Sequence, residues 1–169
     1  MLGLTTLGLF HTAISLVALA AGAVALARDK EIVRASALGQ LYIWTTVVTS
    51  VTGFGIFQHG GFGKPHALGV MTLIVLVLAA IAGRTQLFGR ASRYIETIGY
   101  TLTFLFHMIP ALTETFTRIP VGSPLFSSPE DPALEKITGL FVLAFIVGAT
   151  LQVRRLRASA PRQSSVKLA

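Results

Sequence analysis

Long apolar stretches with few charged residues are the feature that most constrains how this chain can fold. Five segments of about 20 residues have this character, and they are residues 2–27, 35–58, 66–83, 94–112 and 134–153. At about 1.5 Å per residue, each can cross a hydrocarbon layer of about 30 Å as a helix with its backbone hydrogen bonds satisfied. The sequence therefore predicts an all-α integral membrane protein with a bundle of five transmembrane helices in one domain over residues 1–157. The polar residues 158–169 are predicted to form a flexible cytoplasmic tail.

Composition supports this class and excludes several others. Charged residues make up 12% of the chain and hydrophobic residues 53%. This is too little charge to cover a soluble domain and too much apolar material for a disordered chain. The chain has no cysteine, which excludes disulfides, cysteine-ligated zinc, iron–sulfur clusters and thiol catalysis.

The basic residues are distributed unevenly between the two predicted sides of the membrane. Eleven of the 14 lysines and arginines follow predicted helices 1, 3 and 5, and only Lys64, Arg118 and Lys136 lie on the other side. Cytoplasmic loops carry such an excess, so the N-terminus is predicted outside and the C-terminus in the cytoplasm of a bacterial inner membrane. The net charge of +7 then reflects topology and anionic lipid headgroups, and nucleic acid is not an expected partner.

Histidine is the informative polar residue, because ionisable groups inside a membrane are costly and often functional. All four histidines are predicted on the outer half: His11, His59, His66 and His107. His11 shares a helical stripe with small residues, namely Gly8, Ser15, Ala18 and Gly22. Such stripes face neighbouring helices.

Two other helices have polar faces that are expected to meet this stripe. One face of predicted helix 4 carries Glu96, Tyr100, Thr103, His107, Ala111 and Glu114. Pro110 is expected to bend or end that helix. Helix 2 has a weaker stripe of Thr45, Thr49 and Thr52, with Gly53 beside it. We expect the three faces to enclose a polar interior open to the outer side.

These residue types suit a cofactor or metal site. Imidazole is the usual axial ligand of b-type haem and the commonest metal ligand. His11 and His66 are one possible axial pair, and His107 is a competing partner. A metal site would instead need three or four ligands, and His11, His66, His107 and Glu114 have suitable types.

Each of these residues also has a structural interpretation. His59 suits a headgroup contact, His66 a helix cap beside Pro65, and His11 and His107 helix packing. Ion pairs would explain Glu96 beside Arg90 and Arg93, and Glu114 four residues before Arg118. Interfacial anchoring is expected for Tyr42, Trp44 and Tyr94. The proline-rich outer connection over residues 110–135 is either a lid or a solvated linker.

Four stretches carry a family resemblance: HTAISLVALAAG (residues 11–22), LGQLY (38–42), PHALGVMTL (65–73) and TRIPVGSP (117–124). They resemble a bacterial multi-pass membrane protein family of unknown function, which is similar in layout to small membrane cytochromes b. The resemblance implies haem ligation by histidines on neighbouring helices. In that family further histidines open helices 2 and 4 on the cytoplasmic side, where this chain has Arg34–Ala35 and Ser92–Arg93. The resemblance therefore implies one outer site at most.

Three functions are compatible with this pattern. The first is a membrane redox protein that holds one b-type haem or metal near the outer leaflet and exchanges electrons with a quinone or an external partner. The second is a metal-ion binding or transport protein. The third is a non-catalytic membrane subunit of a larger complex. No nucleophile elbow, phosphate-binding loop or HExxH motif occurs, so the sequence does not favour hydrolysis or phosphoryl transfer.

Overall fold

The computed structural model describes residues 5–57 and 61–159. Over these residues the chain forms five α-helices: α1 (Thr6–Asp29), α2 (Ala37–Gly53), α3 (Lys64–Thr85), α4 (Ser92–Arg118) and α5 (Pro132–Ser159). A short 3₁₀ turn, Gly89–Ala91, precedes α4. The predicted all-helical class is confirmed, while His59 and residues 160–169 of the predicted tail lie outside the described residues.

Local signals in the sequence explain where several helices begin. The Thr5 and Ser36 hydroxyls accept hydrogen bonds from Gly8 N and Gly39 N, each at 3.0 Å, and so cap α1 and α2. Pro65 stands in the first turn of α3, where its missing N–H costs no helical hydrogen bond.

Four of the helices are long and apolar enough to cross a membrane: α1, α3, α4 and α5. The remaining helix, α2, has 17 residues, which gives a length of about 26 Å at 1.5 Å per residue. It corresponds to the predicted span 35–58 but is shorter than predicted at both ends. A membrane protein with at least four candidate spans is therefore the class that the helices support.

The first four helices form a bundle, with α5 packed outside it. Short connections make α1 and α2, and α3 and α4, antiparallel neighbours, as predicted; α2 also contacts α3, and α4 contacts α1 and α5. Within the described residues, no Cα of α1 lies within 8 Å of α3, and none of α2 within 8 Å of α4. These two pairs are therefore the diagonals of the bundle.

Small residues on α1 allow close packing inside the bundle. Ala18 and Ala25 are fully buried, and Gly22 is buried as well. A Cβ at Gly22 would stand 2.6 Å from Phe104 Cδ2 and 2.9 Å from Tyr42 Cδ2, closer than carbon atoms pack. The predicted small-residue stripe thus faces protein, and its inner half accommodates two aromatic rings.

Helix α4 continues further than the sequence predicts. Pro110 lies inside it, and the helix ends at Arg118; the prediction that it ends near residue 112 is wrong. The connection to α5 is correspondingly shorter, from residue 119 to 131. It folds back on α4, since Phe126 N donates to Phe116 O at 3.0 Å and the two rings pack edge to face.

A network of charges joins the helix ends on the predicted cytoplasmic side. Arg93 Nη2 donates to both carboxylate oxygens of Glu31, at 2.8 and 2.7 Å, and Arg93 Nη1 donates to Glu96 at 3.3 Å. Arg34 Nε also donates to Glu96, at 3.3 Å. The predicted ion pair of Glu96 with Arg93 is confirmed, and the structure adds Arg34 and Glu31.

Candidate functional site

His11 faces α2 from the second turn of α1, near the end that is predicted to be the outer one. Its Nδ1 lies 3.1 Å from Thr52 Oγ1, and its ring packs where Gly53 has no side chain, because a Cβ there would be 3.3 Å from His11 Cε1. The imidazole is half-buried. The predicted placement of His11, Thr52 and Gly53 on facing surfaces agrees with these contacts.

His107 also reaches α2, from α4, at a position six residues before the His11 contact and about 120° away around the helix. Its Nε2 lies 3.1 Å from Thr46 Oγ1, and the side chain is buried. Its ring stands edge-on to Tyr42, with the ring centroids 6.2 Å apart. This contact crosses a diagonal of the bundle, so long side chains connect two helices whose backbones are far apart.

A chain of hydroxyl groups extends from His107 through the centre of the bundle. Tyr42 OH and Thr103 Oγ1 are 2.8 Å apart, and Thr103 Oγ1 donates to Tyr100 O at 2.8 Å. Either of the two hydroxyls can be the donor in the bond between Tyr42 and Thr103. Tyr42 also interacts with the Thr46 hydroxyl, which continues the chain to the imidazole.

Each imidazole presents one ring nitrogen to a threonine hydroxyl of α2, His11 Nδ1 to Thr52 and His107 Nε2 to Thr46. The Thr52 hydroxyl is also within hydrogen-bond distance of two carbonyls of its own helix, Val48 O at 2.8 Å and Thr49 O at 3.1 Å. The other ring nitrogens, His11 Nε2 and His107 Nδ1, are the ones that a ligand would use.

The two imidazoles and one carboxylate belong to the same end of the bundle. His11 is close enough to both His107 and Glu114 for electrostatic interaction. Glu114 also forms the predicted ion pair with Arg118. Electrostatic range is the extent of this grouping, since within residues 5–57 and 61–159 the three side chains do not form a cluster that could hold a metal ion.

His66 is placed differently, at the corner where α2 meets α3. Its Nδ1 accepts a hydrogen bond from Gly63 N at 3.2 Å, which is the predicted capping role. Its ring lies between Phe57 and Phe62, with centroids 5.1 and 5.3 Å away. His66 Nε2 is buried without a hydrogen-bond partner. Because α1 and α3 are diagonal, His107 is the better placed partner of His11.

The sequence did not predict that Thr46 and Tyr42 belong to this site, and it predicted Thr45 on the polar stripe of α2 in place of Thr46. Thr46 is fully buried and bonds His107, whereas the predicted stripe residue Thr45 only bonds back to Leu41 O and Tyr42 O on its own helix. Tyr42 is fully buried as well, so its predicted role as an interfacial anchor is wrong. A stripe at positions 42, 46 and 49 has the same helical spacing and would have revealed both residues.

A metal ion and a haem require different numbers of ligand side chains. Among residues 5–57 and 61–159, no three His, Asp or Glu side chains converge as a metal site requires. A b-type haem needs two axial imidazoles, and His11 and His107 stand on α1 and α4, which are in contact.

Comparisons of the chain with protein-family models, with curated proteins and with solved protein structures found no match. The geometry above is therefore the basis for assigning a function.

Proposed function

We propose that this is a redox protein of a bacterial inner membrane that holds one b-type haem between His11 and His107. The observation that carries the proposal is the two imidazoles from α1 and α4, each hydrogen-bonded to a threonine of α2. Membrane-buried histidines with an oriented second nitrogen are typical of ligand sites. The resemblance to proteins with the layout of membrane cytochromes b points the same way.

The proposed topology has five spans, with the N-terminus outside and the C-terminus in the cytoplasm. The excess of basic residues after α1, α3 and α5 supports it. The 17 residues of α2 are at the short end of the range for a crossing helix. In this orientation His11 and His107 lie in the outer half of the bilayer, within reach of a quinone or of an external redox partner.

The chain's own residues would set the properties of such a site. Thr52 and Thr46 would orient the imidazoles through His11 Nδ1 and His107 Nε2, which leaves His11 Nε2 and His107 Nδ1 to face a ligand. The hydroxyls of Tyr42 and Thr103, 2.8 Å apart, would extend this polar contact, and the surrounding apolar helices would exclude water. A bound haem would supply one-electron chemistry at its iron.

Absorbance spectroscopy of the full chain, purified after expression with added haem precursor, tests the proposal. We expect a Soret band that is lost in the His11→Ala and His107→Ala variants. His66→Ala is the matched control, because it removes a buried histidine outside the pair, and it should keep the band. Absence of the band in the unaltered protein, or its loss in His66→Ala but not in His107→Ala, would overturn the assignment.

A second candidate is a non-catalytic membrane subunit of a larger complex, which the exposure of α5 favours. Only Leu134 and Gln152 of this helix are buried, and its outward side chains Leu140, Leu143 and Val147 are more than half exposed. Such a face suits either lipid or another helix. Cross-linking from Val147→Cys in native membranes tests it, and a product of defined mass that Leu41→Cys does not form would favour a subunit role.

A further inference from the structure

An apolar cleft separates α5 from the bundle on the side of α1. Its volume is about 500 Å³. Aromatic and aliphatic side chains line it, chiefly Leu26, Phe104, Met108, Phe141 and Phe145. Gly148 lines it as well, and a Cβ there would meet no atom within 4 Å. The cleft is therefore a real gap in the packing between these helices.

Two cations stand at the predicted cytoplasmic end of this cleft. Lys30 and Arg155 line it there, and both are exposed. Each donates to a backbone carbonyl at the end of α1, Lys30 Nζ to Ala27 O at 2.5 Å and Arg155 Nη1 to Asp29 O at 2.6 Å. The Asp29 carboxylate is bonded by Arg28 at 2.9 Å. The end of the cleft thus presents two positive charges on neighbouring helices.

Gln152 forms the wall of the cleft between its apolar part and its charged end, and the amide of this side chain is hydrogen-bonded within the protein. Gln152 is buried; its Nε2 donates to Lys30 O at 2.8 Å and to Thr101 Oγ1 at 3.0 Å. Since the amide hydrogens are used, this wall has no spare amide N–H to offer a polar ligand. A hydrocarbon chain is the occupant that such a surface suits.

The length of the cleft agrees with this chemistry. Phe141 and Arg155 are 14 positions apart on α5, which is about 21 Å along a helix. One leaflet of the hydrocarbon core is about 15 Å deep. The cleft therefore spans one leaflet and continues into the headgroup region, where the cations lie.

We propose that this cleft binds an anionic phospholipid of the cytoplasmic leaflet. An acyl chain lies between Phe104 and Phe145, and the phosphate group lies between Lys30 and Arg155. Basic pockets between transmembrane helices on the cytoplasmic side have this selectivity for anionic headgroups. The site is separate from the histidines, so it does not depend on whether haem binds.

Native mass spectrometry of the full chain in detergent tests the site. The chain is titrated with phosphatidylglycerol or with phosphatidylcholine carrying the same acyl chains. With about 1 kcal/mol for each basic residue near an anionic surface, we expect phosphatidylglycerol to bind about 30-fold more tightly at low salt. Each of Lys30→Gln and Arg155→Gln should reduce that preference about fivefold.

Arg154→Gln is the matched control for charge. Arg154 is next to Arg155 on α5 but lines the groove on the other side of that helix, with Ile98 and Val153. Its substitution should leave the preference unchanged. Equal affinity for the two lipids, or an equal loss in Arg154→Gln and Arg155→Gln, would overturn the proposal, because general surface charge would then account for any binding.

Gly148→Leu tests the position of the acyl chain. The new side chain fills the cleft without a clash, and it should weaken binding of both lipids. Gly139→Leu is the control on the same helix, since a Cβ there also meets nothing within 4 Å and the residue does not line the cleft. Undiminished binding in a folded Gly148→Leu variant would show that the chain lies elsewhere. Should that variant not fold, the charge variants still decide the outcome.

Discussion

At the scale of single residues, hydroxyl groups determine what the histidines can do. A threonine hydroxyl has one hydrogen, and in Thr52 and Thr103 a backbone carbonyl of the same helix accepts it. The same oxygen is also within hydrogen-bond distance of a side chain on another helix, His11 for Thr52 and Tyr42 for Thr103. These threonines therefore connect their own helix backbone to a side chain across the bundle.

Tyr42→Phe tests the importance of this hydroxyl chain for stability. The variant removes the hydroxyl that is hydrogen-bonded to Thr103 while it keeps the ring. We expect a loss of about 1–2 kcal/mol in the free energy of unfolding, measured by detergent denaturation of the full chain. Tyr94→Phe is the control, since Tyr94 is only half-buried and water can replace a lost bond. Equal effects in the two variants would contradict the buried chain.

At the scale of elements, charged residues tie the connection between α1 and α2 to the start of α4. Glu31 accepts from both Arg93 and Thr97 of α4. Arg34 comes from the same connection and binds Glu96. These contacts hold three helix ends together on the side where the basic residues set the predicted topology.

A double-mutant cycle of Glu31→Gln and Arg93→Gln measures the coupling energy between these two side chains. Arg93 is 45% exposed at its side chain, so water screens the pair, and we expect a coupling energy of only about 0.5–1 kcal/mol. The coupling should decrease as salt is added. A value near zero at low salt, or one that salt does not change, would show that the pair does not join these elements.

At the scale of the whole molecule, the bundle has one closed part and one open part. Helices α1 to α4 enclose buried tyrosines, whereas α5 packs along α4, bonds the end of α1 through Gln152 and Arg155, and leaves a cleft beside it. The closed part contains the histidines proposed to bind haem. The open part contains the cleft proposed to bind lipid.

Cysteine labelling tests the proposed orientation of this bundle. The chain has no cysteine, so single substitutions give an unambiguous signal. Ser127→Cys, in the connection before α5, should react with a membrane-impermeant maleimide in intact cells. Leu87→Cys, between α3 and α4, should react only after the membrane is opened. The reverse pattern would contradict an outer N-terminus and place the histidines in the inner leaflet.

The sequence by itself determined the helical class, the approximate spans, the antiparallel neighbours and the local pairs Glu96–Arg93 and Glu114–Arg118. These properties follow from hydrophobic length, short connections and helical spacing, all of which are local. Tertiary structure decided that His11 and His107 both contact α2, that Tyr42 is buried and that Thr46 bonds His107. The helical periodicity of the sequence shows which residues share a face of one helix. It does not show which helices lie diagonally opposite each other, because that depends on how all of the helices pack together. The cleft beside α5 likewise depends on how two helices separate, which no single helix encodes.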